Sequence, residues 1–243
     1  MRPAPEAGGP PDPAVPAGRD RAGYPVVLDV LGRRCLVVGG GPVAARRARG
    51  LLDAGAVVTV VAPRVVSAIE ELASGSRAEP HPGPVDLERR PYRHGEAGRF
   101  DLVVTATGDP AVDSSVVADA RAAGVPVASA TGDIAGTLRL PAVLRRGPVT
   151  VAVSTGGASP ALAVWLRDRI AGSLPRGLET VAALLDEARS EVQASGRSTG
   201  SVDWATLLEV QVLSLVEAGR VDEARAALRA GWHQPGGTVS PAP

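Results

Sequence analysis

A single cysteine, Cys35, stands in a chain of 243 residues, so no disulfide can form within it. Such sparing use of cysteine fits a reducing compartment. The three histidines, His81, His94 and His233, are scattered in loop-like sequence with no Cys or acidic partner at ligand spacing, which argues against a zinc site. No stretch reaches the ~18 to 20 continuous apolar residues of a membrane-spanning helix. Residues 1–23, rich in Pro, Gly, Ala and charge, hold no apolar core of signal-peptide length. They read as a disordered leader, residues 233–243 read as a loose tail, and the chain reads as cytoplasmic. Formal net charge is zero, so no global field draws the protein to nucleic acid. Neither nucleic acid nor a membrane is expected as a partner.

What is present is enough apolar sequence, 44% of the residues, to bury a core in one large domain or two small ones. The most informative stretch is Leu36-Val37-Val38-Gly39-Gly40-Gly41-Pro42-Val43-Ala44, an apolar run that breaks into glycines and then into helical spacing. Gly39 allows a tight turn after a strand. Gly41 lets backbone approach a pyrophosphate, and the free N–H groups of the new helix point at the anion. Ala44 is the third small position, where helix packs closely on strand. The context is right on both sides, with apolar residues before and a helix-compatible stretch to Ala54 after, closed by Gly55. Cys35, in the strand, reads as a small buried thiol.

Residues 24–31 form an apolar lead-in to this strand. The β-branched run 57–62 has the composition of a parallel strand buried on both faces. Strand, helix and strand are then complete within about thirty residues, the length of a mononucleotide-binding unit. Ser67-Ala68-Ile69-Glu70 has a capping-box pattern opening a short helix, and residues 89–92 read as an edge strand. A strand at 100–106 is followed by Asp109 as N-cap, Pro110 in the first turn, a helix to 123 and a stop at Gly124. Residues 125–129 supply another strand. Ligands of an open parallel sheet sit beyond the carboxyl ends of its strands. That gathers Gly39, Gly40, Gly41, Pro42, Val43, Pro63, Arg64, Thr107 and Ser129 as candidate cofactor-binding residues around one crevice.

The second half changes character. Residues 137–140 and 149–154 read as two strands joined by 141–148, which carries Arg145 and Arg146. Ser159-Pro160 starts a helix with Leu162, Trp165, Leu166 and Ile170 on a broad apolar face, and Leu178, Val181, Leu185, Ala188 and Val192 continue at helical spacing. After a Ser/Gly-rich break at 195–201, an Asp203-capped helix over 204–218 and another over 221–230 form a hairpin. It reads as a packing or dimerisation appendage, because repeat arrays need more copies.

With the glycine motif and Val151-Ala152-Val153-Ser154-Thr155-Gly156-Gly157-Ala158-Ser159-Pro160 both placed, residues 24–192 resemble the precorrin-2 dehydrogenase family. That family is the dehydrogenase, and sometimes ferrochelatase, module of sirohaem synthase. The resemblance implies an α/β fold: a Rossmann-like parallel sheet over 24–141 binding NAD, then a small α+β dimerisation and substrate segment over 142–194. A C-terminal helical region with the hairpin at 202–232 follows. It implies a homodimer that oxidises precorrin-2, a reduced tetrapyrrole bearing several carboxylates, to sirohydrochlorin, with the redox chemistry supplied by the cofactor. Carboxylate clamping suits arginine forks. It therefore implies Arg145 and Arg146, with Thr155 and Ser159 of the second motif, as substrate-binding residues. Arg139, Arg167 and Arg169 lie near that side, whereas Arg46, Arg47 and Arg49 read as the wet face of the first helix.

Three departures from the family pattern bear on chemistry. Where the family carries an aspartate ten residues before the Pro141 position, this chain has Thr131, with Asp133 two places on. Asp133 is the candidate catalytic, proton-handling carboxylate, set against a plain turn-capping role. The second strand ends Ala62-Pro63-Arg64 with no acid for a ribose 2′-OH, and Arg64 tolerates a 2′-phosphate, so NADP stays open beside NAD. No methyltransferase segment follows, which sets a full-length sirohaem synthase aside. A dinucleotide-sensing module that kept the fold and lost the chemistry is the alternative reading. Metal insertion into sirohydrochlorin is not separated from dehydrogenation by any residue.

Overall fold

Short runs of valine and leucine buried on both faces build the first part of the chain around a parallel sheet. The structure, a computed structural model, describes residues 23–75, 85–130 and 136–233. The leader up to residue 22, the tail beyond 233, and Thr131 and Asp133 lie outside the described residues. The chain divides into two units, one running to Leu140 and including Gly156–Ala158, the other comprising Pro141–Thr155 and the residues from Ser159 onward.

In the first unit the order is β1 (Arg34–Val38), α1 (Pro42–Asp53), β2 (Val57–Val61), α2 (Ser67–Ala73), β3 (Asp86–Glu88), β4 (Leu102–Thr105), α3 (Pro110–Ala122) and β5 (Val127–Ser129). All pairings are parallel, in the order β3-β2-β1-β4-β5. Alternation along each strand sorts the side chains into two cores. Cys35, Val37, Val58, Val60 and Val104 pack with Ala44 and Ala48 of α1 and Ile69 of α2. Leu36, Val38, Val61, Val103 and Val127 pack with Val116, Val117 and Ala120 of α3. Each such Val or Leu is worth roughly 1.5–3 kcal/mol when fully buried. The first helix stops as expected. Gly55, at φ +81, donates to the Leu52 carbonyl at 2.8 Å, and Ala56 donates to the Leu51 carbonyl at 3.0 Å. Asp109 likewise caps α3, accepting from the Ala111 N–H at 2.9 Å.

Two local expectations in this unit are corrected. Ser67 is not a cap: Val66 holds that position with extended backbone, and its N–H donates to the Gly40 carbonyl at 2.9 Å. The start of α2 is thus set by contact with the glycine loop rather than by a hydroxyl. The edge strand lies at Asp86–Glu88, not at 89–92. Leu87 packs into the core, whereas Arg90 turns toward Glu88 and Glu96, and Pro91 has no N–H for a ladder. The lead-in 24–31 forms no strand; Val30 is buried, while Tyr24, Val26, Val27, Leu28 and Leu31 are exposed.

The second unit contains the antiparallel pair β6 (Ala142–Arg146) and β7 (Val149–Val153), then α4 (Pro160–Ser173), α5 (Leu178–Ala194), α6 (Trp204–Leu207), a π-helical stretch (Leu208–Val212), α7 (Leu213–Glu217) and α8 (Val221–His233). Residues 142–146, expected to be a connection, are themselves the strand. They fold back on β7 through a turn at Gly147, φ +53. Residues 137–140 make only a single bridge, Leu138 to Ala128. The broad apolar face of α4 is only partly covered: Leu166 and Ile170 are half-buried, Leu162 and Trp165 are exposed, and Ala163 is the one fully buried residue of the helix. Val181, Leu184 and Ala188 of α5 share one core with Leu207, Val212, Val216, Ala224 and Leu228. Among the described residues no helix is long and apolar enough to cross a membrane.

One ion cluster gives a test of the first unit. Glu96 takes two hydrogen bonds from Arg90, at 2.9 and 2.6 Å, and one from the Arg93 N–H at 2.8 Å. Burial works to raise its pKa, but Arg90 and the Arg93 N–H outweigh that and hold the carboxyl below its ordinary 4.5. A carboxyl held low in the folded state adds stability above its unfolded pKa and loses it as pH falls through the folded one. Glu96→Gln is expected to cost about 1.5–3 kcal/mol at neutral pH. The gap to the wild type should close as urea melts are repeated below pH 4.5.

Candidate functional site

The strand order reverses at β1: the chain steps to β2 and β3 on one side, then crosses back to β4 and β5 on the other. Loops leaving the carboxyl ends of β1 and β4 therefore part, and a crevice opens between them. At the end of β1, Gly39 has φ +130, and a Cβ on it would stand 2.2 Å from the Ala106 carbonyl oxygen. A Cβ on Gly40 would stand 1.8 Å from the Arg64 carbonyl oxygen. Neither position has room for a side chain. Gly41 differs, with φ −87 and nothing within 4 Å of an added Cβ.

Gly41 is the N-cap of α1. No side chain caps the helix, Pro42 stands in its first turn, and that turn has no acidic residue. The N–H groups beginning at Val43 thus meet no protein anion, and the partial positive end of the helix is left for a ligand. Ala44 behind them is fully buried. Two glycines serve close packing and the third leaves an open cradle, so the residues present fit the pyrophosphate of a dinucleotide.

The neighbouring strand ends add the rest. Pro63 and Arg64 follow β2, both exposed, and the Arg64 guanidinium has no partner among the described residues. After β4, the Ala106 N–H donates to the Val38 carbonyl at 2.8 Å, and Thr107 follows. Ser129 ends β5 in register with Thr105. The structure thus sets Gly39, Gly40, Gly41, Pro42, Val43, Pro63, Arg64, Thr107 and Ser129 along one edge of one sheet. A residue missing from the sequence reading is Asp113, buried on α3 and bonded to Thr107. Its signal was an acid on the apolar stripe of Val112, Val116 and Val117.

Other candidates stand elsewhere. Arg145 and Arg146 are in the second unit on β6, opposite Thr150 and Val149, both exposed. As neighbours on one strand they point to opposite faces and cannot close as one fork. Thr155 and Ser159 are engaged in shaping the entry to α4. Thr155 Oγ1 accepts from the Ser159 N–H at 3.2 Å, and Ser159 Oγ accepts from the Leu162 N–H at 3.1 Å. Arg47 is not on a wet face: it is half-buried with Nε sealed from solvent, and burial first, then Arg46, lower its pKa. Burial, aided by Asp101, pushes the Cys35 thiol up to about 11, so it stays protonated and is no nucleophile at neutral pH. Among the described residues no group of three or more His, Cys, Asp or Glu is placed to hold a metal ion.

Sheet order, glycine turn and uncapped helix define a dinucleotide-binding protein of the Rossmann type. Residues 26–142 match the family profile described as "Putative NAD(P)-binding", and residues 146–173 match that of the sirohaem biosynthesis protein central domain. The chain is 36% identical to a sirohaem synthase of Methylococcus capsulatus, over 84% of this chain and 42% of that protein. It is 34% identical to a sirohaem synthase of Azotobacter vinelandii, over 85% of this chain and 43% of that one. The chain therefore spans less than half the length of these curated relatives. A solved structure titled SirC, precorrin-2 dehydrogenase, superposes with a TM-score of 0.64 at 27% identity, covering 87% of this chain and 100% of that one. Across these matches the chain fits the dehydrogenase module of sirohaem synthase. The dinucleotide-sensing alternative draws no support from these matches.

The glycine turn makes a sharp contrast testable. Gly41→Ala is expected to leave the melting temperature unchanged while weakening NAD binding by roughly tenfold or more, because the methyl enters the cradle and not the protein. Gly40→Ala should lower both, because its methyl meets the Arg64 carbonyl. Equal melting temperatures for the two variants would contradict this account.

Proposed function

We propose that this chain oxidises precorrin-2 to sirohydrochlorin with NAD as the coenzyme. The observation that carries the reading is the open, acid-free cradle at Gly41 in a chain that also holds the Val151–Pro160 motif. The likeness to SirC over that protein's whole length supports it. Bound NAD supplies the hydride acceptor; the chain's own residues hold it, hold the tetrapyrrole and take up a proton. Gly39, Gly40, Gly41, Pro42 and Val43 receive the pyrophosphate. Pro63 and Arg64 border the adenosine ribose, and Thr107 and Ser129 border the other half. The substrate gives up a hydride and a proton, and Asp133, between β5 and Gly136, is the group proposed to accept that proton. Arg145 and Arg146 pair with substrate carboxylates, each from its own face of β6, and Thr155 and Ser159 frame the loop that follows β7.

Residues 24–141 serve as the NAD-binding domain and 142–194 as the dimerisation and substrate segment, with 202–232 packed as an appendage. The working form is a homodimer. Support comes from α4, where Leu162 is 46% exposed and Trp165 56% exposed, with Val164 and the β6 residue Val143 also open to solvent. An apolar helix left this bare needs a cover, and a second copy supplies a matching one.

Incubation of the protein with precorrin-2 and NAD under anaerobic conditions is expected to produce NADH and sirohydrochlorin, followed by absorbance. Absence of NADH at any enzyme level would refute the reading. Asp133→Ala should lower kcat by roughly 10²- to 10⁴-fold at unchanged NAD affinity, and unchanged turnover would remove the role given to that residue. Sedimentation should show a dimer that Trp165→Glu shifts toward monomer.

A further inference from the structure

Asp113 is fully buried on α3, one turn beyond the cap Asp109, and has no part in the glycine cradle. Its Oδ1 accepts from the Thr107 N–H at 3.2 Å, from the Thr107 hydroxyl at 2.7 Å, and from the Thr105 hydroxyl. A carboxylate only accepts, so the Thr105 hydroxyl directs its one proton at Asp113, and the Thr107 hydroxyl gives its own to Asp113 at 2.7 Å or to the Asp109 carbonyl at 3.1 Å. Thr107 Oγ1 in turn accepts from the Asp109 N–H at 3.0 Å. The Thr107 oxygen, half-exposed just beyond the end of β4, is therefore left with acceptor capacity and no proton to offer.

Packing alone does not call for this carboxylate. Its neighbours on the stripe are Val112, Val116 and Val117, and a buried carboxylate carries a desolvation cost that a valine would not. The place in the sheet gives the reason. In a dinucleotide fold the ribose nearest β2 belongs to the adenosine half, and the two halves of the ligand lie on either side of the switch point. The end of β4 then faces the nicotinamide half.

We propose that Asp113 is a positioning residue for the coenzyme. It holds Thr107 as a hydrogen-bond acceptor for an O–H or N–H donor on the nicotinamide half, a ribose hydroxyl or the carboxamide. The proposal rests on the NAD reading above.

Calorimetric titration of the full chain with NAD and with ADP, which lacks the nicotinamide half, tests it. Thr107→Val and Asp113→Ala are expected to weaken NAD binding roughly tenfold, the loss of one hydrogen bond, while ADP binding stays within about twofold. Thr107→Ser should restore NAD binding to near the wild-type value. Equal losses for NAD and ADP would show that the pair merely supports the sheet edge and would overturn the proposal. Unchanged NAD binding in Thr107→Val would overturn it too, and that nearly isosteric variant gives an answer even if Asp113→Ala does not fold. If the wild-type chain binds ADP but not NAD, the coenzyme reading itself fails and the proposal falls with it.

Discussion

At the end of β1 the backbone runs so close to two neighbouring strand ends that no side chain can exist there. The Ala106 carbonyl stands over Gly39 and the Arg64 carbonyl over Gly40. These two contacts tie the exits of β4 and β2 to the turn between them. The turn in turn sets where α1 begins, and through the Gly40 carbonyl it also sets where α2 begins. Side chains of any size would push the strand ends apart and break the convergence on which a crevice depends. Gly41, one residue on, is freed from that packing and is open to a ligand. Close packing at two glycines and access at the third are thus one arrangement.

The same edge of the sheet shows how a buried polar group can be justified by what it holds. Asp113 sits among valines and its Oδ1 accepts from Thr105 on β4 and from Thr107 in the loop, so the β4 exit is tied to α3 as the β1 exit is tied to its neighbours. A fully bonded polar group of this kind rigidifies its surroundings, whereas a half-bonded one would destabilise them. The Arg90, Glu88 and Glu96 cluster works in the same way after β3, where it draws the chain out of the ladder.

In the second unit the division differs. The core joining α5 with α6, α7 and α8 is well closed, and Arg225 and Arg229 of α8 bond to Glu187 of α5 across its surface. The β6 and β7 pair with α4 is not closed, since α4 buries a single residue. The second unit thus combines a completed helical core with a helix whose Leu162, Val164 and Trp165 stay open to solvent.

Much was legible in the residue order because the signals were local or periodic. The β-branched runs announced the parallel strands, Asp109-Pro110 announced the start of α3, Gly55 the end of α1, and the three glycines their turn and cradle. Each of these depends on backbone geometry that a few adjacent residues control. What failed depended on distant partners. The edge strand moved because Arg90 found Glu96, Ser67 lost its capping role to a contact from the glycine loop, and residues 142–146 became a strand because a turn at Gly147 returned them to β7. Asp113 could be read as an acid on an apolar stripe, but its bonds to Thr105 and Thr107 form only because the sheet brings those residues over it. Sequence by itself determined the alternation of strands and helices and the chemistry of the turn. The tertiary structure alone decided which strand ends meet, because the contacts that bring them together join residues far apart along the chain.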